Sequence, residues 1–170
     1  MSRIPLITAQ DELDAAGRIV FDRIVQARGQ MLRPFEVLLH SPIMADKVAQ
    51  LGHVVRFESR LTDADRELAT LATGRAHGCA FVWRSHLETA LTAGIGADTI
   101  AALEGTGSDL GAREATLVSF VNELCDASSV SDKTFEAAHD LVGTRGTVEL
   151  VLTVGYYTML SYTMKACGAC

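Results

Sequence analysis

The chain has 170 residues, a net charge of −6 and 48% hydrophobic side chains, with only 14 glycines and 3 prolines. That composition excludes a disordered or fibrous chain and suits one compact domain with a single core, expected over residues 1–170. No basic run exists, and the longest cluster is Arg18, Arg23 and Arg28, so nucleic acid is not an expected partner. The start, MSRIPLITAQDELDAA, lacks an apolar h-region, and no signal peptide is read there. The most apolar segment, Val148 to Met164, is interrupted by Glu149, Thr153, Gly155 and Thr158. It is too short and too hydroxylated for a membrane span, and reads as a buried or subunit-interface helix. Cys79, Cys125, Cys167 and Cys170 are expected to be reduced, as in a cytoplasmic protein. An even count does not make a disulfide framework in a chain of this size.

The elements read as helices in chain order. DELDAAGRIVFDRIVQARGQ places Leu13, Val20, Ile24 and Val25 near one stripe, and Gly29 can end that helix. Residues 1–30 form a helical extension. Ser41-Pro42 is an N-cap followed by the first helical residue of a helix to about Phe57. Thr62 with Asp65 is a capping-box variant opening LTDADRELATLATGRA. Gly74 and Gly78 predict a break near 75–78. A helix runs from Phe81 to Ala93 and stops at Gly94-Ile95-Gly96. Ala97 to Leu103 is a short helix, and EGTGSDLG is a loop. Ala112 to Ala127 is helical, Ser131 caps Asp132 to Val142, and Gly143 to Gly146 is a turn. Thr147 to about Lys165 is the last helix, and 165–170 is a frayed tail. No segment alternates with period two, so no sheet is expected. An all-α bundle of about six to eight helices follows.

Chemistry concentrates in RAHGCAFVWRSH, Arg75 to His86. On a helix of about 100° per residue, Val82 and His86 lie about 300° and 700° round from Cys79. The three therefore share a face, with Trp83 beside it. Cys79 and His86 stand two turns apart, roughly 10 Å along the axis, and can flank one small pocket. Glu67, on the preceding helix, faces the same pocket if the two helices pack antiparallel. A buried carboxylate beside an imidazole is an acid/base pair. A cysteine at a helix N-terminus gains thiolate character.

Each of these residues also has a plain reading. Cys79 between Gly78 and Ala80 can be a small buried hydrophobe. His86 can be a satisfied rim histidine, and Glu67 a first-turn acid favoured by the helix dipole. Trp83 and Phe81 can be core, and Arg75 and Arg84 solvated or ion-paired. His77 and Cys79 with His86 offer three metal ligands without a fourth, so no metal or other cofactor is expected.

At these residues the chain resembles the carboxymuconolactone decarboxylase family, which includes the alkyl hydroperoxidase D-like proteins. The hydroperoxidase branch carries Glu, eleven residues, Cys-x-x-Cys, three residues, His. Glu67, Cys79 and His86 fall on that spacing, and Val82 replaces the second cysteine. Phe81-Val82-Trp83 followed by His86 is similar to the decarboxylase branch's Tyr-Glu-Trp-x-x-His, with Val82 now in place of Glu. HLETALTAGIGADTI, RFESRLTDADRELATLATGRA and ELVLTVGYYTML resemble the following, leading and closing helices, so the likeness covers most of residues 33 to 164.

The resemblance implies an all-α fold of the alkyl hydroperoxidase D-like type that assembles into trimers or hexamers, with pockets near subunit contacts. It implies metal-free acid/base chemistry on a small carboxylated lactone or related acid. His86 would be the acid/base, with Glu67 orienting it. Arg75 or Arg56 would hold a substrate carboxylate, and Trp83, Phe81 and Val82 would wall the pocket. A thiol-dependent peroxidase using Cys79 is the alternative, although Val82 supplies no second thiol; Cys167-Gly-Ala-Cys170 is a C-x-x-C that can act in trans. A non-catalytic oligomeric binding module is the third. Tyr156, Tyr157 and Tyr162 on the last helix are core, pocket or interface residues.

Overall fold

Helical periodicity without strand alternation predicts what is found. A computed structural model describes residues 2–107 and 109–170, and every regular element among them is helical. Ser108, in the predicted Glu104–Gly111 loop, lies outside the described residues, as does Met1 at the start of the N-terminal segment. The helices are α1 (Ala15–Arg28), α2 (Arg33–Leu38), α3 (Pro42–Phe57), α4 (Asp63–Ala76), α5 (Ala80–Thr92), α6 (Ala97–Glu104), α7 (Ala112–Ala127) and α8 (Asp132–Ala166). The chain divides into two compact units, Met1–Phe57 with Tyr162–Cys170, and Glu58–Ser161.

In the first unit, local hydrogen bonding shortens the first helix relative to its periodicity. The Glu12 Oε1 atom accepts from the Thr8 and Ala9 N–H groups, both at 2.9 Å. That turns Gln10–Glu12 into a single 3₁₀ turn. Asp14 then caps α1 by accepting from the Gly17 N–H at 2.7 Å. Gly29 ends α1 as expected. Helix α2 is an addition; Pro34 in its first turn starts it and Phe35 and Val37 are buried. The tail does not fray as expected. The Cys167 carbonyl accepts from the Arg3 N–H at 2.7 Å and the Ser2 hydroxyl at 3.0 Å.

The second unit is organised around α4. Ten consecutive residues, Asp65 to Gly74, are buried. A helix covered all round presents no amphipathic stripe, and its polar side chains must find partners inside the protein. Leu68, Leu71, Leu117, Phe120, Val121 and Leu150 are core residues of this unit. The sequence predicts a break near 75–78, and His77, Gly78 and Cys79 form it. Gly78 has φ +57, which favours glycine, and α5 starts at Ala80.

Two sequence expectations need correction here. The capping box at Thr62 is half formed. The Thr62 hydroxyl accepts from the Asp65 N–H at 3.1 Å, but the Asp65 carboxylate turns to Arg113 on α7. Arg113 grips it with two bonds, Nε to Oδ1 at 3.0 Å and Nη2 to Oδ2 at 2.7 Å. The predicted turn from Gly143 to Gly146 shrinks to one residue. Gly143, at φ 70 and ψ 174, breaks α8, and the helix resumes immediately. The Thr147 hydroxyl donates to the Gly143 carbonyl at 2.9 Å, giving that exposed acceptor a partner.

Candidate functional site

The α4–turn–α5 hairpin brings two of the predicted residues together. Glu67 on α4 and His86 on α5 meet with Oε2 and Nδ1 2.7 Å apart. Glu67 is 2% exposed and the imidazole 14%. A carboxylate only accepts, so Nδ1 carries the hydrogen and Nε2 is the ring atom left to exchange a proton with a ligand. Glu67 has a second neighbour that the sequence did not single out: Arg66 Nε lies 3.6 Å from Oε1. Arg66 is itself buried and its Nη1 donates to Asp63 at 2.8 Å. Adjacent residues on an ideal helix point to different faces, so nothing in the spacing predicted this pairing. Tyr157 on α8 packs edge-on against the His86 ring, centroids 4.9 Å apart, and Tyr156 packs edge-on against Tyr157 at 5.1 Å. Both tyrosines are buried, whereas Tyr162 is exposed. The imidazole is thus fixed on one side by a carboxylate and on another by an aromatic edge.

Cys79 occupies the N-cap of α5 and is buried, at the positive end of the helix dipole. A cleft of ≈ 310 Å³ opens beside it, lined by Gly74, Arg75, Gly78, Cys79, Ala80, Trp83 and Glu104. Glu67 and His86 are not among its lining residues. Trp83 is half-buried and walls this cleft, while Phe81, also half-buried, is not part of the wall. Val82 is 2% exposed and packs against Gly74: a Cβ at residue 74 would stand 3.0 Å from Val82 Cγ1. The side chain at the second-cysteine position is therefore helix-packing material between α4 and α5. Arg75 is also engaged. Its Nε donates to the Leu103 carbonyl at 3.2 Å and its Nη2 to the Glu104 carbonyl at 3.1 Å, which satisfies the C-terminal end of α6. Arg56 belongs to the other unit, where its guanidinium lies 4.9 Å over the Phe57 ring.

The remaining histidine and cysteines of the sequence argument go elsewhere. His77 Nε2 lies 2.8 Å from the Thr158 hydroxyl on α8. Cys125 on α7 also bonds Thr158; burial pushes its thiol up, the Asp126 charge adds to this, and the Thr158 contact opposes it. None of the four cysteines forms a disulfide. Among the described residues, no three His, Cys, Asp or Glu side chains gather to hold a metal ion, and no helix is long and apolar enough to cross a membrane.

Residues 42–122 match the carboxymuconolactone decarboxylase family. No curated protein sequence matches the chain significantly. Among solved structures, it is similar to an uncharacterised peroxidase-related protein with an alkylhydroperoxidase core from Ralstonia eutropha JMP134, at 20% identity and TM-score 0.75, covering 99% of this chain and 91% of that one. A second peroxidase-related protein, from Silicibacter sp. TM1040, aligns at 13% identity and TM-score 0.77, covering 99% and 91%. A cysteine-to-alanine variant of the debrominase Bmp8, in complex with 2,3,4-tribromopyrrole, aligns at 14% identity and TM-score 0.77, covering 100% and 93%. At these identities the likeness is one of fold. The family match over residues 42–122 and the fold of the alkylhydroperoxidase type together support membership of the carboxymuconolactone decarboxylase and alkyl hydroperoxidase D-like superfamily.

Proposed function

We propose that the protein is a cytoplasmic, metal-free acid/base enzyme that decarboxylates or isomerises a small carboxylated lactone or related enolisable acid. The observation that carries this reading is the 2.7 Å contact between the buried Glu67 carboxylate and His86 Nδ1. Glu67 holds the ring in one tautomer and stabilises the imidazolium. In a decarboxylation, the bond to the carboxylate carbon breaks, carbon dioxide leaves, and the electron pair moves into the conjugated lactone carbonyl as a dienolate. The imidazolium donates its Nε2 proton to carbon, and solvent returns a proton to the ring. In an isomerisation the neutral ring removes the proton first and then returns it. Tyr157 keeps the ring in place, and Arg66 beside Glu67 keeps a permanent positive charge next to the carboxylate.

The test is turnover of 4-carboxymuconolactone, followed by ultraviolet absorbance and released carbon dioxide. His86→Ala is expected to lower kcat by roughly 10²–10⁴-fold, the usual contribution of a positioned acid/base. Glu67→Gln is expected to lower kcat more than it changes KM. Unchanged turnover in His86→Ala overturns the assignment. Wild-type protein inert toward a panel of carboxylated lactones would favour a non-catalytic binding module.

A second reading rests on Cys79 at the α5 N-cap, lining the ≈ 310 Å³ cleft. Its thiolate would attack the terminal oxygen of an organic hydroperoxide, breaking the O–O bond to give the sulfenic acid and an alcohol. An external low-molecular-weight thiol would then reduce the sulfenic acid to thiol and water through a mixed disulfide. Peroxide consumption unchanged in Cys79→Ser removes this reading. Both readings carry self-association into trimers or hexamers. The exposed apolar residues Val148, Val151 and Leu152 of α8 support it, and light scattering measures it.

A further inference from the structure

The first unit holds a groove that the proposed chemistry does not use. It runs between α1 and α3 and measures ≈ 160 Å³. Helix α1 contributes Arg23, Ile24, Ala27 and Arg28, and α3 contributes residues at 46, 49, 50, 53, 56 and 57. These positions are one face of each helix, the spacing at which two packed helices normally interdigitate. Here Ala27 of α1 and Ala49 of α3 both line the groove. Two methyl groups do not fill the space that larger side chains would take, and a pocket remains above the buried Ile24.

The rim of this groove is cationic in a chain whose net charge is −6. Arg23, Arg28 and Arg56 all line it, and Asp46 is its one acid. Asp46 is already engaged: Oδ1 takes Arg23 Nη1 at 2.5 Å and Oδ2 takes the Gln50 amide at 2.7 Å. Arg28 lies 4.6 Å over the Phe35 ring and its Nη2 donates to the Ala49 carbonyl at 3.4 Å. Arg56 rests on the face of Phe57 and is not ion-paired to Asp46. Phe57 is 62% exposed, and the His53 ring lies 5.1 Å from it. The groove thus combines an apolar floor, an exposed aromatic edge and a surplus of two arginine charges.

We propose that the α1–α3 groove is a binding site for a small aromatic carboxylate of about the size of benzoate. A cavity of about 150 Å³ is known to accept one benzene ring, so the volume fits a single ring and little more. The ring would lie over Ile24, Ala27 and Ala49, beside Phe57. Arg56, lying over the Phe57 ring, would present its fork to the carboxylate bidentately, with the Arg28 charge beside it. An anion without a ring would lose the floor, and a ring without charge would lose the arginines. The proposal stands apart from the Glu67–His86 reading.

Isothermal titration and amide-shift NMR of the full-length protein with sodium benzoate at low salt test it, with acetate and benzyl alcohol as controls. Benzoate is expected to bind at least roughly tenfold more tightly than either control, and Arg56→Gln to weaken it roughly tenfold or more, the usual loss for a charge-assisted pair. Ala49→Leu fills the floor and is expected to abolish binding with Arg56 intact; it also covers the case in which Arg56→Gln does not fold. Glu67→Gln is expected to leave benzoate binding unchanged. No binding by the wild type, equal binding in Ala49→Leu, or equal binding in a folded Arg56→Gln overturns the proposal. Loss of binding in Glu67→Gln also overturns it, because the ligand would then belong to the acid/base site.

Discussion

Replacing Gly74 with alanine tests whether the spacing of α4 and α5 is set by one missing methyl group. The new Cβ would stand 3.0 Å from Val82 Cγ1, 3.2 Å from Val82 Cβ and 3.3 Å from the Trp83 backbone nitrogen. Carbon atoms in good contact sit about 3.5–4.0 Å apart, so the neighbouring helix must give by a few tenths of an ångström at this point. Val82 cannot swing aside, because it is β-branched, helical and buried, and Trp83 N is backbone. Such overpacking costs about 1–3 kcal/mol. Alanine's better helix propensity returns at most about 1 kcal/mol. A net loss of about 1 kcal/mol is expected, read as a lower urea midpoint at constant slope. Val82→Ala alone should cost about 2 kcal/mol through the space it empties. In that background Gly74→Ala should become neutral or stabilising, a coupling of about 1–2 kcal/mol. Because Glu67 and His86 sit on these same two helices, activity should fall in the single Gly74 variant and recover partly in the double one. A Gly74→Ala protein as stable as its parent, or the same cost in both backgrounds, would refute the reasoning.

Three further outcomes follow from other contacts. Asp65→Asn replaces a charge-assisted two-point grip by a neutral one; Arg113 is 44% exposed and regains water, so a loss of about 1–2 kcal/mol is expected in thermal unfolding, with Arg113→Lys recovering only part of the wild-type stability. Gly143→Ala forces a side chain into φ 70 and ψ 174, a region that essentially only glycine occupies, and should cost about 1–3 kcal/mol by denaturant titration. Burial pushes the Glu149 carboxyl up, but Arg145, the Arg60 N–H and the Ser59 hydroxyl outweigh it and hold it below the ordinary carboxylate range. A lowered folded-state value stabilises above the unfolded value of about 4.3, and that contribution is lost as pH falls through the lowered one. Stability measured between pH 6 and 2.5 should therefore fall less steeply on the acid side in Glu149→Gln than in wild type.

Much of the site was legible because it is encoded locally. The interval between Glu67 and His86 spans one helix end, one turn and one helix start, and Gly78 marks the turn. Two antiparallel helices joined by so short a connection return a residue on the second to face one on the first. The same reading put Cys79 near the start of the second helix, and the structure makes it the N-cap. What sequence spacing did not contain were the partners supplied by distant segments. Asp65 belonged to a T-x-x-D start, yet an arginine 48 residues away took its carboxylate. Arg75 looked available for a substrate, yet two carbonyls at the end of α6 took two of its donors. Val82 stood in the motif as a pocket residue, yet the absence of a side chain at Gly74 drew it into the helix contact.

By itself, then, the amino-acid order determined that the chain is helical, where most helices start and stop, and which acid, thiol and imidazole share one hairpin. Those are consequences of backbone geometry and of periods only a few residues long. The tertiary structure decided what each polar side chain does once buried. Helix α4 is enclosed over ten consecutive residues, and a buried charge must be matched by whatever the surrounding helices bring within hydrogen-bond reach. Arg66 beside Glu67, Tyr157 against His86 and Arg113 on Asp65 are matches of that kind. The groove lined by Ala27 and Ala49 is likewise tertiary, because its lining residues come from two different helices, α1 and α3.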